Sequence, residues 1–214
     1  MSYMPRKPFH CDPLTPYHLV ARTNNRRPFN APMCRIWSIY EDQLFFLHHA
    51  FGVQIHCFVL MSNHFHLIAT FPNVNFGESI RTFMGTTSRV VSFEENSKNH
   101  LYGGRAYRSR LGSFHYFVNA YKYIYLNPVR AGICRRVEDY EFSTLGGLLV
   151  KKQMSIPLAE DTLIFDDPIG CLKWLNTHPS NADISAVRKA LRRLDFKFAK
   201  DASNRPHRLE LERL

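Results

Sequence analysis

Acidic residues are scarce in this chain. Asp and Glu number 18 against 28 Lys and Arg, a formal net charge of +10 with histidine neutral. Such an excess points to a polyanionic partner, of which nucleic acid is the commonest; a basic surface with no specific partner is the plain alternative. No C-x-x-C occurs, and Cys11, Cys34, Cys57, Cys134 and Cys171 are odd in number and widely spaced. That argues against a disulfide framework or a cysteine zinc site and makes a reducing cytoplasm the expected compartment. The first residues hold no apolar signal core, and no apolar run approaches bilayer-spanning length, so no membrane partner is expected. Internal repeats, low-complexity blocks and a P-loop pattern are missing as well. What remains is a chain of 214 residues, 45% hydrophobic, with 17 Phe and 10 Tyr. That is ample for a core and excludes a disordered tail.

Residues 1–16 read as a polar, proline-rich arm. Residues 17–23 (YHLVART) are a short β-like run, followed by a loop of turn formers that carries Arg26 and Arg27. Ile36, Ile39, Tyr40, Leu44, Leu47 and Phe51 recur at helical spacing, and Gly52 is a natural stop. Residues 53–61 and 64–71 are apolar extended runs around Ser62-Asn63, which predicts a hairpin with Met61 opposite His64 and Val59 opposite His66. Asn75 to Glu78 has the form of a capping box and opens a helix with Ile80, Phe83, Met84, Thr87 and Val91 inward. Residues 102–111 form a glycine-led strand. Ser113 caps a third helix that runs to about Asn127, before Pro128. Residues 137–147 read as irregular, 148–181 give little signal, and 183–200 read as a helix. The order strand, helix, strand, strand, helix, strand, helix predicts an α+β fold, a ferredoxin-like antiparallel sheet with helices packed on it. We expect one domain over residues 1–147 and an extension over 148–214.

In a strand, side chains at i and i+2 share a face, so His64 and His66 point the same way, and Phe65 points into a core. Two imidazoles so placed can grip one metal ion, although an H-x-H is often only a pair of half-buried histidines. On the third helix Phe114, Phe117, Tyr121 and Ile124 share one side, which makes Tyr121 a core residue. Tyr116, Asn119, Tyr123 and Asn127 share a nearly opposite, polar side. Tyr123 and Asn127 are neighbours one turn apart, a phenol beside a metal-binding amide.

Two segments carry a family resemblance. MSNHFHLI resembles the HUH motif (His, bulky hydrophobe, His) of single-tyrosine transposases. YIYLNPVRAGI, from Tyr123 to Ile133, resembles the tyrosine signature of the REP-associated tyrosine transposases within the IS200-like group, and YHLVARTNNRRPF resembles their first strand and loop. The resemblance spans roughly residues 15–145. Ser62 stands where that branch has proline, and the strand YGGRAYRSRL lacks its tryptophan.

The resemblance implies an HUH endonuclease fold, with Tyr123 the catalytic nucleophile and His64, His66 and Asn127 the metal ligands. It further implies that the tyrosine keeps the 5′ phosphate and frees a 3′-OH, on single-stranded or hairpin DNA, with the site built by a monomer or by a homodimer. Such a protein would be nucleoid-associated when bound to DNA. A divalent ion neutralises the phosphodiester and orients it for in-line attack; Mg²⁺ suits the oxygen donors and Mn²⁺ also suits imidazole. A covalent link conserves bond energy, so rejoining needs no ATP.

For DNA contacts we expect Arg26, Arg27, Arg105, Arg108, Arg110 and Arg130, with Tyr107 stacking on an unpaired base. The last helix adds Arg188, Arg192 and Arg193 beside a stripe of Val187, Leu191, Leu194 and Phe198; a membrane-surface or partner-binding helix is the alternative. Two other functions compete: a non-catalytic hairpin-binding module, and a metal-dependent hydrolase in which Tyr123 is structural. His18 and His56 have no assigned role, and His56 reads as a satisfied core histidine.

Overall fold

Each extended run of the sequence has an apolar side to bury, and the runs pair so that these sides align. The computed structural model describes residues 9–200. The first part of the expected arm and residues 201–214 of the extension, His207 among them, lie outside the described residues. The order is β1 (Tyr17–Arg22), α1 (Met33–Phe51), β2 (Gln54–Met61), β3 (His64–Thr70), α2 (Phe76–Glu94), β4 (Tyr107–Arg110) and α3 (Phe114–Tyr125). The strands form one antiparallel sheet in the order β2-β3-β1-β4, the ferredoxin-like arrangement. Ser62-Asn63 is the hairpin turn, and Met61 faces His64 while Val59 faces His66.

One face of the sheet packs on α1 and α2. Tyr17, Leu19 and Ala21 of β1 and Phe65, Leu67 and Ala69 of β3 meet Ile36, Tyr40, Leu44, Ile80 and Phe83 in one core. Gly52 ends α1 with φ +68°, where its N–H bonds to the His48 carbonyl, and a Cβ there would lie 2.6 Å from Asn73. The left-handed φ favours glycine, and any Cβ would also displace the Asn73 amide. The expected capping box does not form. Asn75 makes no side-chain cap and instead donates through Nδ2 to the Phe51 carbonyl at 2.8 Å, tying α2 to the end of α1.

The opposite face packs on α3. Cys57, Val59, Met61 and Ile68 meet Tyr121, Ile124 and Tyr125. A bulge between Ile55 and Cys57 resets the alternation of β2, so Ile55 joins the first core while Cys57 joins the second, and His56 in the bulge bonds to Thr70 Oγ1 at 2.7 Å. Ser113 Oγ caps α3 by accepting from the Tyr116 N–H.

Beyond α3 the chain runs through α4 (Asn127–Arg130), a 3-10 turn at Val137–Asp139, α5 (Leu145–Leu148), α6 (Thr162–Asp166), α7 (Pro168–Leu175) and α8 (Asn181–Ala190). Gly146 and Gly147, read as irregular from sequence, lie inside the single turn of α5. Ile164, Cys171, Leu175, Val187 and Leu191 from this extension enter the α3 core.

The helix expected over 183–200 ends at Ala190. Past it, the Arg110 N–H donates to the Leu194 carbonyl (2.8 Å) and the Phe196 N–H to the Arg110 carbonyl (2.9 Å). The open edge of β4 offers unpaired backbone groups, and pairing with them wins over helix continuation. Phe196 and Phe198 are thereby buried against Tyr116, with Phe196 to Tyr116 centroids 4.9 Å apart. Leu194, expected in the apolar stripe, is 63% exposed, and Phe114, expected on the core side of α3, is 64% exposed.

Candidate active site

The alternation of β3 sends Phe65 into the α1–α2 core and turns His64 and His66 toward α3. Their ring centroids are 5.1 Å apart, at 80° between planes. Each histidine has one nitrogen engaged behind it. His64 Nδ1 lies 2.7 Å from Asn63 Oδ1, and because a carboxamide oxygen only accepts, the proton of His64 sits on Nδ1. His66 Nδ1 lies 2.9 Å from Nε2 of His18. Burial, with the nearby Arg22 charge, pushes the His64 pKa down to about 4. Burial and then the His18, His64 and Arg22 neighbours push His66 well below the usual histidine range. Both imidazoles are neutral at ordinary pH, the form that binds metal.

Helix α3 brings Tyr123 over this pair, its ring edge-on to His66 at 6.2 Å between centroids. One turn on, Asn127 donates through Nδ2 to the carbonyls of Tyr123 (3.0 Å) and Ile124 (3.3 Å). That commits the amide nitrogen and leaves Oδ1 as the group able to meet a cation. Among the described residues no cluster of three or more His, Cys, Asp or Glu is arranged to hold a metal ion. A divalent ion held by this donor set would rest on the two imidazoles, with Asn127 Oδ1, water or oxygens of a bound substrate completing its shell.

His64, His66, Tyr123 and Asn127 share one groove of ≈ 1040 Å³, which they line together with Arg22, Arg26, Arg105, Tyr107, Arg130, Arg188 and Arg192 and, among the described residues, no carboxylate. The Arg130 guanidinium lies 5.6 Å from the Tyr123 ring centre. The Arg22 pKa is lowered, by burial first and then by the charges of Arg26, Arg188 and Arg192, while Tyr123 works the other way. Uncompensated positive charge held around a phenol is an anion-binding arrangement.

Six of the ten expected DNA-contact residues thus meet at the groove: Arg26, Arg105, Tyr107, Arg130, Arg188 and Arg192. Four are held elsewhere. Arg27 pairs with Glu95 at 3.3 Å. Arg108 stacks 3.8 Å over Phe9, on the other face of the sheet from Tyr107. Arg110 bonds to Asp195 at 2.8 Å, and Arg193 donates to the Lys197 carbonyl at 3.1 Å. Period-two alternation explains the split of β4, since Tyr107 and Arg108 cannot share a face. Reasoning from sequence passed over Arg22 and His18. The signal existed, because His18, Val20 and Arg22 alternate with the apolar Tyr17, Leu19 and Ala21, but only the strand order puts that side beside His66 and His64.

The model of the IS200-like transposase family matches residues 13–125, more than half of the chain. No curated protein sequence matches. Among solved structures, a REP-associated tyrosine transposase bound to a REP hairpin is similar with a TM-score of 0.58 and 19% identity, over 75% of this chain and 93% of that one. A transposase candidate from Deinococcus radiodurans R1 aligns over 58% of this chain and 95% of its own, at 15% identity and a TM-score of 0.39, too low to bear on the fold. The first likeness agrees with the α+β sheet-and-helix architecture of HUH nucleases. The matched span holds β1 through α3, with the histidine pair and Tyr123 inside it, and this chain belongs to the IS200-like transposase family.

Proposed function

We propose that this protein is a metal-dependent tyrosine transposase of the REP-associated branch, which cuts and rejoins single-stranded DNA beside a hairpin. The observation that carries this reading is the packing of Tyr123 on His66 within one chain, at the floor of an arginine-lined groove. Tyr123 Oη attacks the phosphorus in line, forming a tyrosyl–phosphorus bond as the P–O3′ bond breaks. The phenol proton is released, and the departing 3′ oxygen takes up a proton to become a hydroxyl. Attack by a 3′-OH on the phosphotyrosine reverses the step and joins the strands. Arg22 and Arg130 favour the anionic phosphate and the charge that builds on it during attack. Nε2 of His64, Nε2 of His66 and Asn127 Oδ1 would hold Mg²⁺ or Mn²⁺, which supplies charge neutralisation at a non-bridging phosphate oxygen. Arg26, Arg105, Arg188 and Arg192 hold the strand by its phosphates, and Tyr107, 39% exposed, offers a ring to an unpaired base.

Hairpin preference is supported by the solved relative described as bound to a REP hairpin. All four site residues lie together within one chain, which supports a site built by a monomer. The test is adduct formation on single-stranded DNA carrying a hairpin. Wild-type protein should form a protein–DNA adduct resistant to denaturation, lost on adding EDTA and absent in Tyr123→Phe. Tight hairpin binding without any adduct would instead make the protein a non-catalytic hairpin binder. Metal-dependent cleavage that survives in Tyr123→Phe would make it a hydrolase.

A further inference from the structure

A histidine binds a metal through one nitrogen only when its proton sits on the other, and the hydrogen bond made by that other nitrogen decides the tautomer. For His66 the deciding partner is His18. His18 lies on β1, 2% exposed, and its Nε2 is 2.9 Å from His66 Nδ1. The ring planes are within 18° of each other and the centroids 5.2 Å apart. That separation is close to the largest a 2.9 Å nitrogen contact permits, so the nitrogen–nitrogen line runs through both ring centres. The contact is a linear, in-plane hydrogen bond rather than a stack.

A neutral pair can share the bond in two ways. If His18 donates, His66 carries its proton on Nε2 and cannot be a ligand. If His66 donates, its Nε2 lone pair faces the groove, and the proton of His18 sits on Nδ1. Among the described residues His18 Nδ1 is buried with no partner, and so is Ser109 Oγ. These two residues face each other across β1 and β4. Directly opposed residues of an antiparallel pair bring their side chains close on one face. No direct bond joins His18 Nδ1 to Ser109 Oγ, and one water between them would give the Nδ1–H of His18 its acceptor.

We infer that His18 is a positioning residue that holds His66 in the Nδ1–H tautomer and keeps its Nε2 open to a divalent cation. The proton of His66 then points away from the groove, toward His18. The inference rests on the metal reading proposed above. His64 has its own acceptor in Asn63, so each ligand has a separate tautomer guide.

The test uses the full chain and two readouts. Long-range ¹H–¹⁵N correlation spectra of the metal-free protein, with the His66 signals assigned through His66→Gln, report which nitrogen carries the proton. Titration with Mn²⁺, followed by electron paramagnetic resonance, reports affinity. His66 should show a lone-pair-type Nε2 in the wild type and lose that preference in His18→Leu. Mn²⁺ affinity should fall roughly 10- to 100-fold in His18→Leu, the range for loss of such partners. His18→Gln should restore most of it, because its side-chain oxygen can accept the same hydrogen bond. The wild-type spectrum and the Gln variant keep the test decisive if the Leu variant fails to fold. A proton on His66 Nε2 in the wild type, or equal Mn²⁺ affinity in folded His18→Leu, overturns the inference alone. A wild type that binds no Mn²⁺ overturns the metal reading and the inference with it.

Discussion

Tyr121 and Tyr123 sit two residues apart on α3 and face different surroundings. Tyr121 is fully buried, and its hydroxyl donates to Asp161 Oδ2 at 2.5 Å. Tyr123 faces the groove. Tyr123→Phe is expected to fold, bind DNA and form no adduct, as judged by denaturing gels. Tyr121→Phe is expected to keep the adduct but lose about 1–3 kcal/mol of stability, the cost of leaving a buried carboxylate without its donor. Urea unfolding of the two variants separates the roles. Arg22 is a stricter residue-scale test, since nothing pairs its charge among the groove-lining side chains. Arg22→Ala should slow single-turnover adduct formation by roughly 10²-fold, the cost of losing one preorganised charge-stabilising donor. Unchanged rates would move Arg22 out of the reaction.

At the scale of elements, α8 and the segment after it play two parts. Arg188 and Arg192 reach the groove, while Val187, Leu191, Phe196 and Phe198 fill the α3 core. Deleting residues 183–214 would therefore strip the core as well as the charge, and point changes separate the two effects. Arg188→Ala with Arg192→Ala should weaken DNA binding and flatten the log affinity–log salt slope by about 0.7 per lost phosphate contact on single strands. A slope equal to wild type would make their charge merely solvated. Strand β2 carries a second element-scale prediction. His56 in its bulge is pushed by burial down to about 4. The unfolded chain takes up this proton below about pH 6.5 and the folded protein only near 4, so acidification across that window favours unfolding. The urea midpoint should fall from pH 7 to pH 5, and His56→Gln should make the fall shallower by up to one proton. An identical pH slope in both proteins would rule out this source of acid sensitivity.

At the scale of the molecule, one chain brings His64, His66, Asn127 and Tyr123 together around a groove that has no carboxylate among the described residues. If a monomer is the working unit, the initial adduct rate at saturating DNA should scale linearly with protein concentration. It should also be unaffected by adding excess Tyr123→Phe chains. A second-order dependence, or rescue of His64→Ala by mixing with Tyr123→Phe, would mean that two chains share each site.

Local chemistry alone determined much of this protein. Short apolar, β-favouring runs marked β1, β2 and β3, helical spacing marked α1, α2 and α3, and the hairpin at Ser62-Asn63 set the His64 and His66 register. Each depends on neighbours close in sequence, so pattern suffices. The tyrosine segment was legible as well, because a polar face on α3 separated Tyr123 from Tyr121. Tertiary structure decided the rest. Only the placement of β1 between β3 and β4 brings His18 to His66 and Arg22 to His64. Only the open edge of β4 draws residues 194–196 out of the helix that their composition favours. Only the faces of β4 divide Tyr107 from Arg108, sending one to the groove and the other to Phe9. These outcomes depend on which distant surfaces meet, and backbone pairing and burial across the fold outweigh the propensity of a short segment.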